Sequence, residues 1–266
     1  MDLTGRRTGM VLSPVAAMLF LLAANWVSPP LADAQTAFRE TAVHAQVRAV
    51  VVDEASGRAY AAAYDTGQVL ELDPATGAVK KNVPAGAGPS ALALAPGGAT
   101  LACVNRLDNS VTLIATQDMT PIATVPCGKA PSDIAALPGG GFAVANSFSD
   151  SITLIDVARP QSPAVIEGVS SVPVAIAASA DRLAVATRVA PALLLFKSGA
   201  QAPDVTVKLP AAPNAVAALG DGRFVVAMKS GLALVASDGS VVAHAGTGEC
   251  FAVAASGGRI AAVTTG

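Results

Sequence analysis

Short apolar blocks of Ala, Val, Leu and Ile recur along this chain in a fixed order, separated by Gly, Pro, Asn and Asp. The order is clearest from Pro89. Pro89-Ser90-Ala91-Leu92-Ala93-Leu94 predicts a first strand, Pro96-Gly97-Gly98 a turn, and Leu101-Ala102-Cys103-Val104-Asn105 a second strand. Asp108-Asn109-Ser110 predicts another turn, Val111-Thr112-Leu113-Ile114 a third strand and Ile122-Ala123-Thr124-Val125 a fourth. β-branched residues between Gly- and Asn-type reversals are what tight antiparallel hairpins require. The same sentence is repeated from Pro131, through Pro138-Gly139-Gly140, Phe142 to Asn146, and Asp150 to Asp156. Looser copies start at about Val47 and at Pro173 and Pro213.

The Pro-led strands at Pro89, Pro131, Pro173 and Pro213 are spaced by 42, 42 and 40 residues. A period near forty with several strands and no helix per unit predicts an all-β fold, a β-propeller with one blade per repeat. The expectation is six blades of four-stranded antiparallel sheets. The last unit supplies only two strands, Phe251 to Ala254 and Arg259 to Val263, while Ala37 to Val43 aligns with an outermost strand. The two termini are therefore expected to share a short closing blade, which avoids leaving two sheet edges open.

Residues 1–34 read as a signal peptide. Arg6 and Arg7 precede an apolar stretch from Met10 to Val27, followed by Pro29, Pro30 and the small-x-small run Ala32-Asp33-Ala34. Cleavage is expected after Ala34, with an uncleaved anchor as the alternative and ordinary export favoured over the twin-arginine route. Localisation is then periplasmic or secreted. Removing 34 residues from 266 leaves 232, a single domain over 35–266. No later apolar run is long enough to span a membrane as a helix.

Charge narrows the function classes. The chain's net charge of −2 comes from single, scattered residues, so the basic stripe that nucleic-acid binding needs is missing. The sole Trp, Trp26, falls in the signal segment, which removes an aromatic platform for glycans or single strands. Both His, His44 and His244, fall on predicted outermost strands, far from a propeller axis, so a His-dependent base or metal site at the channel lacks its residues. The acids Asp53, Asp65, Asp108, Asp150, Asp181, Asp221 and Asp238 are spread singly through turns, which they are expected to cap. No metal, cofactor or catalytic residue is expected. Cys103, Cys127 and Cys250 are an odd number, read as reduced and mostly buried thiols, with an exposed thiol pairing to another protein as the alternative.

Function is expected where the innermost strands begin, because those positions converge on the channel mouth. Aligning the repeats places Arg48, Ser90, Ser132, Val174, Asn214 and Cys250 in one ring, with Asp133 and Glu249 beside it. Arg48, Ser90, Ser132, Asp133, Asn214 and Glu249 form a candidate site for a small polar or anionic ligand. The competing reading is that Ser and Asn satisfy loop backbone groups at the strand starts.

The repeats resemble the YVTN-type β-propeller family, in a Pro-led strand, a second strand ending near Val-x-Asn and an apolar third strand ending in Ile-Asp. Leu101 to Ile114 with Asn105, and Phe142 to Asp156 with Asn146, carry the likeness. Tyr64, Thr187 and Met228 stand where that Asn would be, and Phe196-Lys197 replaces Ile-Asp in the fourth blade. The resemblance implies architecture more than chemistry, since relatives include exported binding proteins, lactonase-like hydrolases and relatives of amine dehydrogenase subunits. The sequence therefore points to a non-catalytic binding or assembly module, partnered by an envelope or periplasmic protein or a small polar ligand. A lactonase-like hydrolase or lyase at the channel mouth and a propeller partner of a periplasmic redox enzyme are the alternatives.

Overall fold

The computed structural model describes residues 45–169, 171–246, 248–256 and 259–265. Twenty-two strands and no helix occupy them. β1 (Val47–Asp53), β2 (Arg58–Ala63), β3 (Gln68–Leu72) and β4 (Val79–Pro84) form the first sheet. β5 (Pro89–Leu94), β6 (Thr100–Asn105), β7 (Ser110–Ala115) and β8 (Thr120–Pro126) form the second, and β9 (Pro131–Ala136), β10 (Phe142–Asn146), β11 (Ser151–Ile155) and β12 (Ala164–Ile166) the third. β13 (Pro173–Ala178), β14 (Arg182–Thr187), β15 (Ala192–Lys197) and β16 (Val205–Lys208) make the fourth. β17 (Pro213–Ala218), β18 (Phe224–Met228), β19 (Gly231–Val235) and β20 (Val241–Ala245) make the fifth, and β21 (Cys250–Ser256) pairs with β22 (Arg259–Thr264) in a sixth, two-stranded sheet.

All pairings are antiparallel between chain neighbours, and the first strands pack in ring order, β1 on β5, β5 on β9, β9 on β13, β13 on β17 and β17 on β21. This is a β-propeller. The strand expected over Ala37 to Val43 and the signal segment lie outside the described residues.

Side-chain size follows distance from the axis. The inner strands, which converge, carry small residues such as Ala91, Ala93, Ala135, Ala175 and Ala177, all buried. The middle strands of blades two and three are buried on both faces because each of these blades is sandwiched between two others, so they read as continuous apolar runs. Phe142, Phe196 and Phe224 fill the widening wedges between blades. Each outer strand hangs on one buried apolar residue paired across the ladder, Val83 to Val69, Val125 to Val111, Ile166 to Ile152 and Val207 to Leu193. In the fifth sheet the equivalent is Ala245 opposite Leu232, and β20 is exposed along its whole length.

The repeat's Asn has a structural role. The Asn105 amide donates to Ser110 Oγ at 3.0 Å and Thr112 Oγ1 at 2.9 Å, closing the β6–β7 hairpin from within. Asn146 does the same to Ser151 at 3.2 Å and Thr153 at 2.9 Å. The connection from the preceding blade crosses this amide so closely that a Cβ on Gly86 would sit 2.7 Å from Asn105, and one on Gly128 2.8 Å from Asn146. Ladder pairing corrects one assignment. Val47 pairs with Ala63, so Ala63, and not Tyr64, occupies the Asn position of the first blade.

Candidate functional site at the channel mouth

Each inner strand starts with a bulge. The leading residue pairs with the end of the second strand, the next is left out of the ladder, and pairing resumes after it. The bulged residues are Arg48, Ser90, Ser132, Val174, Asn214 and Phe251. A bulge re-aims a side chain, and here it turns one residue per blade toward the mouth. Because Cys250 pairs with Thr264, Cys250 is the counterpart of the leading prolines and Phe251 holds the sixth ring position, a one-residue correction to the alignment read from sequence.

The six candidate residues separate into two groups. The Ser132 hydroxyl shares its one proton between Ala145 O at 3.2 Å and Pro173 O of the next blade at 3.1 Å. Asn214 donates to Cys250 O at 2.9 Å and to Glu249 Oε1 at 3.4 Å. The Asp133 carboxylate accepts from Ile134 N at 2.9 Å and from Ile176 N at 2.8 Å, the latter on the inner strand of the next blade. These side chains fasten blade to blade. They satisfy backbone groups on the open inner edges, which would otherwise face the channel unpaired.

Arg48 and Ser90 do not. They line one cavity of about 460 Å3 together with Tyr64 and Arg106. The Arg48 guanidinium lies over the Tyr64 ring, 4.8 Å from its centroid. Arg106 Nη1 donates to Pro131 O at 3.3 Å, leaving the rest of its donor fork for the cavity. The Ser90 hydroxyl is buried and has no hydrogen-bond partner among the described residues. Neither arginine forms an ion pair among the described residues. Two arginines lining one concavity can hold an anion by charge-assisted hydrogen bonds.

Burial pushes the Asp133 carboxyl up to about 6, against the two backbone N–H groups that favour its ionised form. Cys103, Cys127 and Cys250 are all free thiols; Cys103 and Cys250 are buried and Cys127 half-buried. Desolvation pushes Cys103 and Cys127 up to about 12, which makes them poor nucleophiles. His244 lies on exposed β20, and His44 falls outside the described residues. Among the described residues no group of three His, Cys, Asp or Glu is placed to hold a metal.

The turn acids behave in two ways. Asp53, Asp221 and Asp238 accept backbone N–H groups within their own turns. Asp65, Asp108 and Asp150 reach across the mouth-side loops to Gln46 N, Ala87 N and Val172 N. A smaller cavity of about 180 Å3 opens between blades three and four at the other end, where Leu137, Ile166 and Phe196 surround Arg182. There the Arg182 guanidinium is taken by Asp204, so that cavity offers no free arginine.

Tyr64 and Arg106 were not found by reading the sequence. Both directly follow the end of a second strand, the position that Ser147 holds in blade three, and tabulating the residue after Asn105 and Asn146 exposes the Arg.

The family model for the lactonase, 7-bladed β-propeller family matches residues 34–174, more than half of the chain. This chain belongs to the lactonase family of β-propellers. Among solved structures, this lactonase-family chain is similar to the hydrazine synthase of Kuenenia stuttgartiensis, with a TM-score of 0.67, 18% identity, and coverage of 73% of this chain and 64% of that one. It is also similar to U3-55K, with a TM-score of 0.58, 12% identity, and coverage of 81% and 87%. At these identities the likeness is one of fold. The chain spans about 64% of the length of the hydrazine synthase chain. No curated protein matches it by sequence.

Proposed function

We propose that this protein is an exported, non-catalytic binding module that takes a small anionic ligand at the channel mouth, between Arg48 of the first blade and Arg106 of the second. The observation that carries this reading is the cavity that these two arginines line together with Tyr64 and Ser90. Its volume of about 460 Å3 suits a ligand of small-molecule size. The candidate acids support binding over catalysis, because both oxygens of Asp133 already accept backbone N–H groups and Glu249 is engaged by Asn214.

Titration calorimetry with inorganic phosphate, acetate and gluconate, against neutral glycerol, tests it. At least one anion should bind, and Arg106→Ser or Arg48→Ala should weaken it tenfold or more. Equal binding by the variants, or no anion binding, would sink the assignment.

Membership of the lactonase family supports a second reading, hydrolysis of a lactone whose carbonyl oxygen is polarised by the same two arginines. Turnover of a lactone panel that is lost in Glu249→Gln with folding intact would replace the first reading with this one.

A further inference from the structure

The loops joining the second and third strands place a large apolar side chain at the same position in three successive blades. Leu107, Phe148 and Val189 each stand two residues beyond the Asn position, and they are 63%, 75% and 73% exposed. Most exposed apolar residues are scattered singly and need no explanation. These three recur by the symmetry of the repeat, at one height and on the mouth face, and so form an arc over blades two to four.

The loops that carry them are held. Leu107 N donates to Ala87 O, Phe148 N to Lys129 O and Val189 N to Ser171 O. Asn109 and Asp150, both in the left-handed region at φ 52° and 46°, reach across to Ala130 N and Val172 N. An apolar side chain on a pinned loop loses little freedom on being covered.

Charge on this face is unbalanced in what it leaves available. Lys129, Arg188 and Lys208 are exposed around the arc, and Arg106 borders it. Asp108 and Asp150 each give one carboxylate oxygen to a backbone N–H group, and Glu167 lies out at the rim after β12, so the three carboxylates on this side are outnumbered by the four cations. All six ion pairs among the described residues lie toward the opposite end of the blades. No cation around the arc is neutralised by a carboxylate among them.

We infer that Leu107, Phe148 and Val189 form a docking surface for a protein partner that presents an apolar patch fringed by carboxylates. Apolar anchors supply the contact, while the unpaired cations set orientation and association rate. This surface adjoins the ligand cavity at Arg106 but does not require that cavity to be occupied.

The test places a photoreactive residue at one position at a time in the full chain, in its native cells, as Phe148→p-benzoylphenylalanine and Val189→p-benzoylphenylalanine, with Val79, exposed on the outermost strand β4, as control. The adduct is identified by mass spectrometry, and the purified partner is then titrated against the wild type, Phe148→Asp and Lys129→Glu. The expected result is one protein adduct shared by the arc positions and absent at Val79. Affinity should fall at least tenfold in Phe148→Asp and severalfold in Lys129→Glu, and should fall with added salt. Unchanged melting curves would separate these losses from misfolding.

An adduct that also forms at Val79, a partner whose affinity ignores Phe148→Asp, or no adduct would overturn the inference. So would a self-adduct, which makes the arc a contact between copies. Phe148-dependent sedimentation with phosphatidylglycerol–phosphatidylcholine vesicles in the absence of a protein adduct would make it a membrane contact instead.

Discussion

In blade three the hydroxyls of Ser132 and Ser147 both donate to the Pro173 carbonyl, at 3.1 and 2.7 Å, and draw the start of the next blade inward. In blade two the same two positions hold Ser90 and Arg106. There the arginine alone reaches the Pro131 carbonyl, at 3.3 Å, and the Ser90 hydroxyl is left without a partner. The ladders behind them match residue for residue, down to the buried Asn. Two differences, Arg106 for Ser147 and Ala91 for Asp133, thus separate a sealed junction from an open one, and the cavity lies at the open one. Function in a repeat fold is legible as a local failure of the repeat to satisfy itself.

The largest effect should come from removing the feature that the blades share. Asn105→Ala leaves two hydroxyls in a buried hairpin without their donor and should cost about 2–3 kcal/mol in urea unfolding. Asn146→Ala should cost less, about 1–2 kcal/mol, because the Asn146 Oδ1 atom is already buried without a partner whereas Asn105 Oδ1 faces the Cys103 thiol at 3.8 Å. Equal costs would mean that the two hairpins are held alike and that this difference carries no energy.

A second distinction is Asp133, whose counterpart in blade two is Ala91. Its carboxyl is raised to about 6 in the folded protein, so the folded state holds its proton where the unfolded chain has released it. Its contribution to stability is therefore fully present below about pH 4 and is lost as pH rises through about 6. After allowance for screening by channel water, the change should be on the order of 1–2 kcal/mol. Asp133→Asn keeps one acceptor oxygen and removes the titration, so stability measured from pH 4 to 7 should lose this component. A wild-type slope retained in the variant would assign the titration elsewhere.

The sequence carried more of the frame than of the site, for a physical reason. Hairpin turns and strand interiors are local, and residues such as Pro96-Gly97-Gly98 or Val111 to Ile114 announce them within a few positions. The prolines at Pro89, Pro131, Pro173 and Pro213 marked the strand starts, and Arg48 and Ser90 were legible because the bulge follows immediately. Arg106 stands out only when the residues after Asn105 and Asn146 are set side by side, and its value depends on Ser90 in its own blade and on Ser147 at the same position in the next. The misplacement of Cys250 for Phe251 has the same origin, because the sixth unit has no proline to mark where its ladder begins.

The two ring hydroxyls should respond oppositely to truncation. Ser132→Ala removes the one hydroxyl donor that lies within reach of both Ala145 O and Pro173 O, and should cost about 1 kcal/mol. Ser90→Ala removes a buried hydroxyl that has no partner among the described residues, and should be neutral or stabilising by a few tenths of a kcal/mol. Thermal unfolding of both variants, with and without ligand, reads the contrast, and a loss of stability in Ser90→Ala would show that this hydroxyl is engaged after all.

A similarly small expected change in stability, from Arg106→Ser, sharpens the comparison most. It gives blade two the mouth of blade three, with a hydroxyl at the position from which Ser147 reaches the neighbouring Pro carbonyl at 2.7 Å. The arginine's 3.3 Å bond to Pro131 O is lost, and two serine hydroxyls become available to replace it, so stability should stay within about 0.5 kcal/mol of wild type. Anion affinity should nonetheless fall tenfold or more, because half of the positive charge lining the cavity is gone while Arg48 stays stacked on Tyr64. A variant that folds equally well and no longer binds would place the difference between the two blades in the ligand. A variant that loses several kcal/mol would place it in the frame, with Arg106 acting as a clasp between blades two and three.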